Sequence, residues 1–161
     1  MAKTVALLLT LWLALPLKGQ TYMLEAERFQ YVGGWKVEKD AEAFNKAVLM
    51  VTAGGSGAAH ATTVFQVPQS GRYVFWSRTK DFQTKAPRTR ISRLMLDTMQ
   101  LALQGIHGRE GYHWEQIGTI ELHKGLHVLR ACDVAANYAR VDAVLFTRDE
   151  RLDPNQMTYK Q

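Results

Sequence analysis

The chain has 161 residues, a formal net charge of +5 and one cysteine. This length fits one domain and leaves no room for an enzyme with a separate cofactor domain. Hydrophobic residues make up 47% of the chain and charged residues 22%, which excludes a disordered or rod-like protein. A single cysteine excludes an internal disulfide.

The first 19 residues have the layout of a secretory signal peptide. Lys3 is followed by an apolar run over residues 5–17, which is too short to span a bilayer comfortably. We therefore expect cleavage near Gly19 or Gln20 and a secreted or periplasmic protein without a stable membrane span. Removal of residues 1–19 takes away two lysines and no acidic residue, which lowers the net charge from +5 to +3.

Residues 20–150 are predicted to form one β-rich domain, because apolar side chains recur at every second position more often than at helical spacing. Pro68-Gln69-Ser70-Gly71 has the composition of a type I turn, so we predict a hairpin between the strands on either side of it. A helical turn is expected only around residues 40–45. In the first half, the predicted strands cover residues 22–27, 47–51, 60–67 and 72–79.

The second half repeats this pattern. Asp97 and Thr98 predict a two-residue hairpin turn, and Gly125, which follows His123 and Lys124, can supply the positive φ of another. The polar tail at residues 151–161 is expected to be frayed. The predicted strands cover residues 91–96, 99–103, 116–122, 126–131 and 140–147. About eight to ten short strands at this spacing predict an all-β fold, an antiparallel β-sandwich or jelly roll.

Short motifs spread over nearly the whole of the chain after residue 19 carry a resemblance. They include Leu24-Glu25-Ala26-Glu27, Gly71-Arg72-Tyr73-Val74, Leu122-His123-Lys124-Gly125-Leu126-His127 and Val141-Asp142-Ala143-Val144. Together they are similar to secreted carbohydrate-binding modules with a galactose-binding-like jelly roll.

A narrower resemblance rests on Gly33-Gly34-Trp35, His60-Ala61-Thr62-Thr63 and Trp76-Ser77-Arg78-Thr79-Lys80-Asp81-Phe82. These segments resemble a module found at the N-terminus of some secreted bacterial FAD-dependent oxidoreductases. The oxidoreductase activity is not implied, because no nucleotide-binding domain follows the module in this sequence.

No catalytic constellation is visible. The glycine cluster at residues 54–57 is followed by a β-branched segment instead of the helix that a phosphate-binding loop needs. His123 and His127 flank a predicted turn, so they do not share the helical face that a zinc motif requires. Cys132 is expected to be a small buried hydrophobic residue.

Three acidic residues are candidates for metal binding. Glu25 and Glu27 alternate onto one face of the first predicted strand, and Asp142 interrupts the apolar last strand. First and last strands are neighbours in many jelly rolls, and oxygen ligands from both would suit calcium. The resemblance implies a structural calcium at such residues. Alternatively, the acids form ordinary salt bridges with Arg28 or Arg140.

Aromatic residues in predicted loops are candidates for sugar binding, because an exposed ring stacks on the apolar face of a sugar. Asparagine and arginine can hydrogen-bond the hydroxyl groups of that sugar. The resemblance implies that the loop before the last strand contributes ligand contacts. The alternative is that Trp35 and Trp114 close the open ends of the sandwich. The candidate carbohydrate-binding residues are Trp35, Tyr112, Trp114, Asn137, Tyr138 and Arg140, and Phe82 also stands in a predicted loop.

A basic stretch lies between residues 80 and 93. Its basic residues are Lys80, Lys85, Arg88, Arg90 and Arg93. The net charge of +3 and the presence of Asp81 argue against a nucleic-acid partner. The stretch is either a solvated loop or a surface for an acidic glycan, such as a uronate or a sulfated polymer.

These observations predict a secreted, non-catalytic carbohydrate-binding module for a glycan, accessory to polysaccharide utilisation. One alternative is a small glycan-active hydrolase or lyase that uses Glu38 or Glu115 with Asp133, although nothing in the spacing selects such a pair. Another is a protein-interaction module of a larger secreted assembly, with a secreted protein as its partner.

Overall fold

The computed structural model describes residues 20–51, 57–134 and 138–158. The strands in these ranges are β1 (Thr21–Glu25), β2 (Trp35–Lys39), β3 (Ala47–Val51), β4 (Ala61–Val67), β5 (Gly71–Asp81), β6 (Ser92–Leu96), β7 (Met99–Gln104), β8 (Gly111–Leu122), β9 (Gly125–Asp133) and β10 (Arg140–Thr147). Short 3₁₀ helices cover Ala26–Arg28, Phe44–Lys46 and Pro154–Gln156. No helix in the described ranges has the length and hydropathy of a membrane span.

The strands form two antiparallel sheets. One sheet has the order β2-β3-β10-β5-β8, with β1 also paired to β10, and the other has the order β4-β9-β6-β7. The first half of β10 pairs with β3 through Arg140 and Met50, and its second half pairs with β1 through Thr147 and Thr21. The predicted β-sandwich and the predicted adjacency of the first and last strands are confirmed.

The core lies between the sheets, because alternate residues of each strand point inward. Phe146 on β10 is fully buried at its centre. Its ring lies 5.5 Å from the ring of Phe75 and 5.0 Å from that of Phe65, which belongs to the opposite sheet. Burial of a side chain of this size stabilises the fold by about 2 kcal/mol. The aromatic cluster therefore joins the two sheets.

Two predicted hairpins are wrong. β4 pairs with β9 and β5 pairs with β8, so the turn at residues 68–70 crosses from one sheet to the other, as does the turn at residues 123–124. The two crossovers contact each other, since the backbone N–H of Lys124 donates to Ser70 Oγ at 2.8 Å. Turn composition specifies a local change of direction but not the sheet that the next strand joins.

The β6–β7 hairpin is confirmed. Asp97 at its turn adopts a φ of +54°, and Leu96 pairs with Met99. The helical turn expected around residues 40–45 is a 3₁₀ helix at Phe44–Lys46. The sequence patterns did not predict β2. Lys36, Glu38 and Lys39 give this edge strand the polar composition of a loop, although its first residue is buried.

The outer face of the six-stranded sheet carries a second apolar cluster. Trp114, Ala143 and Leu145 pack there beneath Phe44 and Leu152. Leu152 belongs to the tail that the sequence predicts to be frayed. That prediction is wrong for residues 152–157, because the tail packs on the sheet.

Asn155 holds this tail in place. Its side chain accepts from the backbone N–H of Trp114 at 2.9 Å and donates to the carbonyl of Trp114 at 3.1 Å. Two hydrogen bonds to one strand residue fix the amide group in a single orientation. The tail therefore covers apolar surface that would otherwise face solvent.

Candidate functional site

Several strands begin or end together at one end of the sandwich, which we call the loop end. Asp81 at the end of β5 pairs with Gly111 at the start of β8, and Ser92 pairs with Asp133. The loop end therefore comprises residues 82–91, 105–110 and 138–139. Loops at such an edge are the usual place for binding residues on a rigid scaffold.

Asp81 anchors two of these loops. Its side chain is buried. One carboxylate oxygen accepts from the backbone N–H groups of Phe82 and Arg88, and the other accepts from that of Gly108, each at 2.8 Å. Hydrogen bonds to a carboxylate are about twice as strong as those between neutral groups. The residue therefore holds the two loops in a fixed relation.

Glu115 on β8 anchors the loop at residues 105–110 a second time. Its carboxylate accepts from the backbone N–H groups of Gly105 at 2.6 Å and Ile106 at 3.1 Å, and from the hydroxyl of Thr79. Gly105 has a φ of +75°, and a Cβ added to it would lie 2.2 Å from the carbonyl oxygen of Arg90. Only glycine allows this close approach.

These contacts argue against the hydrolase alternative. Glu115 lies on β8 and Glu38 lies on β2, which are opposite edges of the six-stranded sheet. Glu38 is paired with Lys36 at 2.7 Å, while Asp133 is buried and accepts from the backbone N–H of Ala58 at 3.5 Å. Glu38 and Glu115 therefore cannot act as one pair, and all three carboxylates already have partners within the fold.

Arg90 forms the centre of an arginine–aromatic cluster at the loop end, which consists of Phe82, Arg90, Tyr138 and Arg140. The Arg90 guanidinium carbon lies 5.0 Å from the centre of the Phe82 ring and 5.9 Å from that of Tyr138. Arg140 donates from Nη1 to the carbonyl of Tyr138 at 3.2 Å. Tyr138 itself is 47% exposed, so its ring is available for stacking.

The two arginines of this cluster form no ion pairs with the described residues. No carboxylate of the described residues forms a salt bridge with Arg90 or Arg140. Burial, and next the charge of Arg140, lower the pKa of Arg90. Asp81 opposes that shift, but its carboxylate oxygens already accept three backbone hydrogen bonds.

The structure separates the candidate carbohydrate-binding residues. Trp35 is in β2, and Tyr112 and Trp114 are in β8, so the prediction that these three stand in loops is wrong. They are only 3%, 8% and 3% exposed, and none offers an open ring to a sugar. Tyr138 and Arg140 come together at the loop end. Asn137 lies outside the described residues.

Tyr112 has a structural role. Its hydroxyl donates to Asp40 at 2.8 Å, and Lys80 bonds the same carboxylate oxygen at 3.1 Å. Burial, and then this carboxylate, raise the pKa of Tyr112.

The side chains of the basic stretch do not form one surface. Lys80 pairs with Asp40 and Glu42 on the outer sheet face.

Two other members of the basic stretch point elsewhere. Arg93 lies on β6 and donates to Gln100 at 2.7 Å, and Lys85 is exposed. Among the described residues of the basic stretch, only Arg90 contacts an aromatic ring in the loop before β10, that of Tyr138. Sequence spacing could not single it out, because the pairing depends on how β5, β6 and β10 are brought together.

The three acidic candidates lie in one region. The side-chain amide of Asn45 donates to Glu25 and, at 3.3 Å, to Glu27. Glu25 also pairs with Arg28 at 2.6 Å, as the salt-bridge alternative predicts. Asp142 is fully buried, but its partners are Arg78 and the backbone N–H of Phe44 instead of Arg28 or Arg140.

Calcium ligation can be tested against these contacts. Glu27 Oε2 is buried without a hydrogen-bond partner. Burial, and next the charges of Glu25 and Asp142, raise the pKa of Glu27 to about 7 against opposing hydrogen bonds. A cation would relieve both conditions, so Glu25 and Glu27 fit calcium. Asp142 fits less well because Arg78 neutralises it, and the described residues contain no ready-made group of three metal-binding side chains.

Comparisons with known proteins agree with this architecture. No family model and no curated protein sequence matches the chain. Among solved structures, the family 6 carbohydrate-binding module at the C-terminus of a marine laminarinase from Zobellia galactanivorans superposes with a TM-score of 0.62 at 14% identity, covering 80% of this chain and 100% of that one. A family 35 carbohydrate-binding module from Clostridium thermocellum gives a TM-score of 0.64 at 17% identity, covering 80% and 98%.

The chain has the jelly-roll fold of these modules. A similar match is a β-1,4-mannanase from Podospora anserina that combines a glycoside hydrolase with a family 35 module, with a TM-score of 0.67 at 12% identity. The match covers 85% of this chain but only 29% of that enzyme. The resemblance to carbohydrate-binding modules is confirmed at the level of the fold. The narrower resemblance to a module of FAD-dependent oxidoreductases stays a prediction.

Proposed function

We propose that this protein is a secreted, non-catalytic carbohydrate-binding module whose ligand lies on the loop end. The observation that carries the proposal is the exposed ring of Tyr138, which lies against Arg90 and next to Arg140, beside loops that the buried Asp81 holds in place. A sugar can stack on this ring while the guanidinium groups donate hydrogen bonds to its hydroxyls.

Rigid loops support this proposal. Asp81 and Glu115 together fix the backbone at Phe82, Gly105 and Gly108 before any ligand arrives. Such preorganisation lowers the entropy lost on binding. The modules of similar fold belong to laminarin- and mannan-degrading proteins by their names, which makes a polysaccharide a reasonable ligand class for this chain.

The experiment is a glycan array of residues 20–161, compared between the unsubstituted protein and Tyr138→Ala. We expect binding of at least one glycan without any change in the glycan, and a loss of about tenfold or more on removal of the ring. Tyr31→Ala is the matched control, since Tyr31 is 62% exposed beside β4. Equal losses in the two variants, or hydrolysis of the glycan, would contradict the proposal.

We also propose that a structural calcium ion binds at Glu25 and Glu27. The buried, unpartnered oxygen of Glu27 supports this site, and the ion would lock β1 against the loop that carries Asn45. The thermal midpoint should rise in calcium and fall in a chelator, and Glu27→Gln should abolish the difference. A midpoint that is identical in calcium and chelator would remove the ion from the proposal.

Export is proposed from residues 1–19. Mass spectrometry of protein recovered outside the cytoplasm of the producing cell should find an N-terminus near Gly19 or Gln20. Retention of residues 1–19 in recovered protein would argue for a membrane-anchoring role of the apolar run instead.

A protein partner is a second candidate. The four-stranded sheet leaves Val64, Met99 and Leu126 exposed at 37%, 46% and 58%, and exposed apolar side chains on a sheet can mark interaction surfaces. Replacing Val64 and Leu126 with threonine should leave glycan binding unchanged under this candidate, but should release a co-purifying secreted protein.

A further inference from the structure

We propose that the arginine–aromatic cluster is an anion-binding subsite, and that the glycan it takes carries a carboxylate or a sulfate ester. This inference rests on the proposed function and deepens it. The subsite consists of Arg90 and Arg140, with the Tyr138 ring beside them.

Hydrogen-bonding capacity is the first argument. Arg90 Nη1 donates to the carbonyl of Thr89 at 2.8 Å and to the hydroxyl of the same residue at 3.0 Å. Arg90 Nε is buried and has no acceptor among the described residues. A buried donor without a partner costs free energy in a folded protein. Because the protein encloses Nε, a ligand anion would act on the charge of the guanidinium group and not through a hydrogen bond to Nε.

Position is the second argument. Phe82 and Tyr138 both lie against the Arg90 guanidinium, which limits its side-chain freedom and leaves less entropy to lose on binding. Arg140 is held at the same residue, because its Nη1 bonds the Tyr138 carbonyl. The two cations thus meet at Tyr138, Arg90 against its ring and Arg140 at its backbone carbonyl. A sugar stacked on that ring would bring its acidic substituent within reach of both.

Electrostatic balance is the third argument. Two nearby guanidinium groups repel each other unless an anion lies between them. Arg78 and Lys80 have carboxylate partners within the described residues, whereas Arg90 and Arg140 have none. Asp81 acts on Arg90 through its charge but forms no ion pair with it, and its oxygens accept three backbone N–H groups. A ligand anion could therefore approach the two arginines without breaking an ion pair.

The test measures affinity for matched pairs of polysaccharides by isothermal titration calorimetry at 50 mM and 500 mM NaCl. One pair is polygalacturonate and its methyl ester, which differ in the carboxylate charge. The other pair is κ-carrageenan and its desulfated form, which differ in the sulfate ester. The two pairs distinguish which acid group is recognised. A single-stranded oligothymidylate is included as an anion that is not a glycan.

The expected result is at least tenfold tighter binding of one charged polymer than of its neutral counterpart, with the preference weakened at the higher salt concentration. Arg90→Gln and Arg140→Gln should each reduce that preference about tenfold. Arg72→Gln is the charge-matched control and should change it less than twofold, because Arg72 is 60% exposed at the other end of β5 and pairs with Glu150.

Because Arg90 is partly buried, Arg140→Lys provides a milder variant, whose unfolding midpoint should match that of the unsubstituted protein. It keeps the charge but loses the planar donor geometry, so we expect an intermediate loss of preference. Equal binding of the charged and neutral polymer in both pairs would overturn the anion subsite but leave the proposed function intact. The same conclusion would follow if the preference for the charged polymer were unchanged in Arg90→Gln and in Arg140→Gln. Tighter binding of the oligothymidylate would overturn it in favour of a nucleic-acid ligand. Binding to no glycan would overturn both proposals.

Discussion

Two arginines of this protein lie against aromatic rings, but they differ in charge compensation. The Arg78 guanidinium lies 4.1 Å from the centre of the Phe44 ring and 5.1 Å from that of Tyr112. It also forms an ion pair with the fully buried Asp142. Arg90 has a similar aromatic environment between Phe82 and Tyr138, but no carboxylate partner in the described residues.

This difference separates a structural arginine from one available to a ligand. Arg78 lies beneath the β2–β3 loop, where Lys80 and Asp40 form a second ion pair at 3.1 Å. Its charge is compensated inside the fold, and its removal would leave a buried carboxylate alone. Arg90 lies at the loop end, where the charge of Asp81 acts on it without forming an ion pair. Aromatic contact by itself therefore says little about function, while the location of the balancing charge says more.

The largest expected effect breaks the compensated pair. Arg78→Met keeps most of the side-chain volume but leaves Asp142 buried without its cation. We expect the free energy of unfolding to fall by about 3–5 kcal/mol, the usual cost of removing one partner of a buried pair. Urea unfolding measures this loss. Arg90→Met is the matched control, and an equal loss in both variants would show that the two arginines do not differ in structural role.

A second substitution removes the anchor beneath the uncompensated arginine. Asp81→Ala leaves the backbone N–H groups of Phe82, Arg88 and Gly108 without their acceptor. We expect about 2 kcal/mol of lost stability together with weaker glycan binding, since the two loops lose their common support. Hydrogen exchange of these three amides gives the local readout. Unchanged exchange rates would contradict the anchoring role.

Sequence patterns predicted the sandwich because alternation of apolar residues survives in nearly every strand, as in β4, where Ala61, Thr63, Phe65 and Val67 all face inward and are buried. They also predicted correctly that the first and last strands are neighbours. The same patterns wrongly placed Trp35 and Trp114 in loops. Trp35 begins a short edge strand rich in charged residues, and Trp114 lies near the start of a strand that follows a glycine-rich turn, and both patterns resemble loops. Burial of an aromatic ring depends on covering elements, here including Phe44 and Leu152 over Trp114.

The candidate site was predictable only in part. Tyr138 and Arg140 could be identified because they directly precede the last strand. Arg90 could be identified as basic but not as their neighbour, since it is 48 residues before Tyr138 and the contact depends on the three-dimensional arrangement of three strands. Asp81 carried no sequence signal for its role, because three backbone N–H groups from two loops converge on it only in the folded chain.

A third prediction uses pH to examine the compensated region. Burial would raise the pKa of Asp40, but hydrogen bonds from Tyr112, the backbone N–H of Glu42 and Lys80 outweigh it, so the pKa lies below the usual 3.8. A lowered pKa in the folded state contributes stability that is present above pH 3.8 and is lost as the pH falls below that value. Urea unfolding between pH 3 and pH 5 should show this loss. Asp40→Asn should make this loss of stability smaller, and a profile identical to that of the unsubstituted protein would contradict the lowered pKa.

The smallest expected effect on stability belongs to the uncompensated arginine. Arg90→Met removes a charge that forms no ion pair with the described residues, and it replaces an unpartnered Nε with an apolar group. Loss of the cation–π contacts costs about 0.5–1 kcal/mol each. Removal of the unpartnered donor and of the repulsion from Arg140 offsets part of this cost. We therefore expect the free energy of unfolding to change by less than about 1 kcal/mol in urea. A loss as large as that of Arg78→Met would mean that Arg90 has an internal partner and that the loop end is scaffold rather than site.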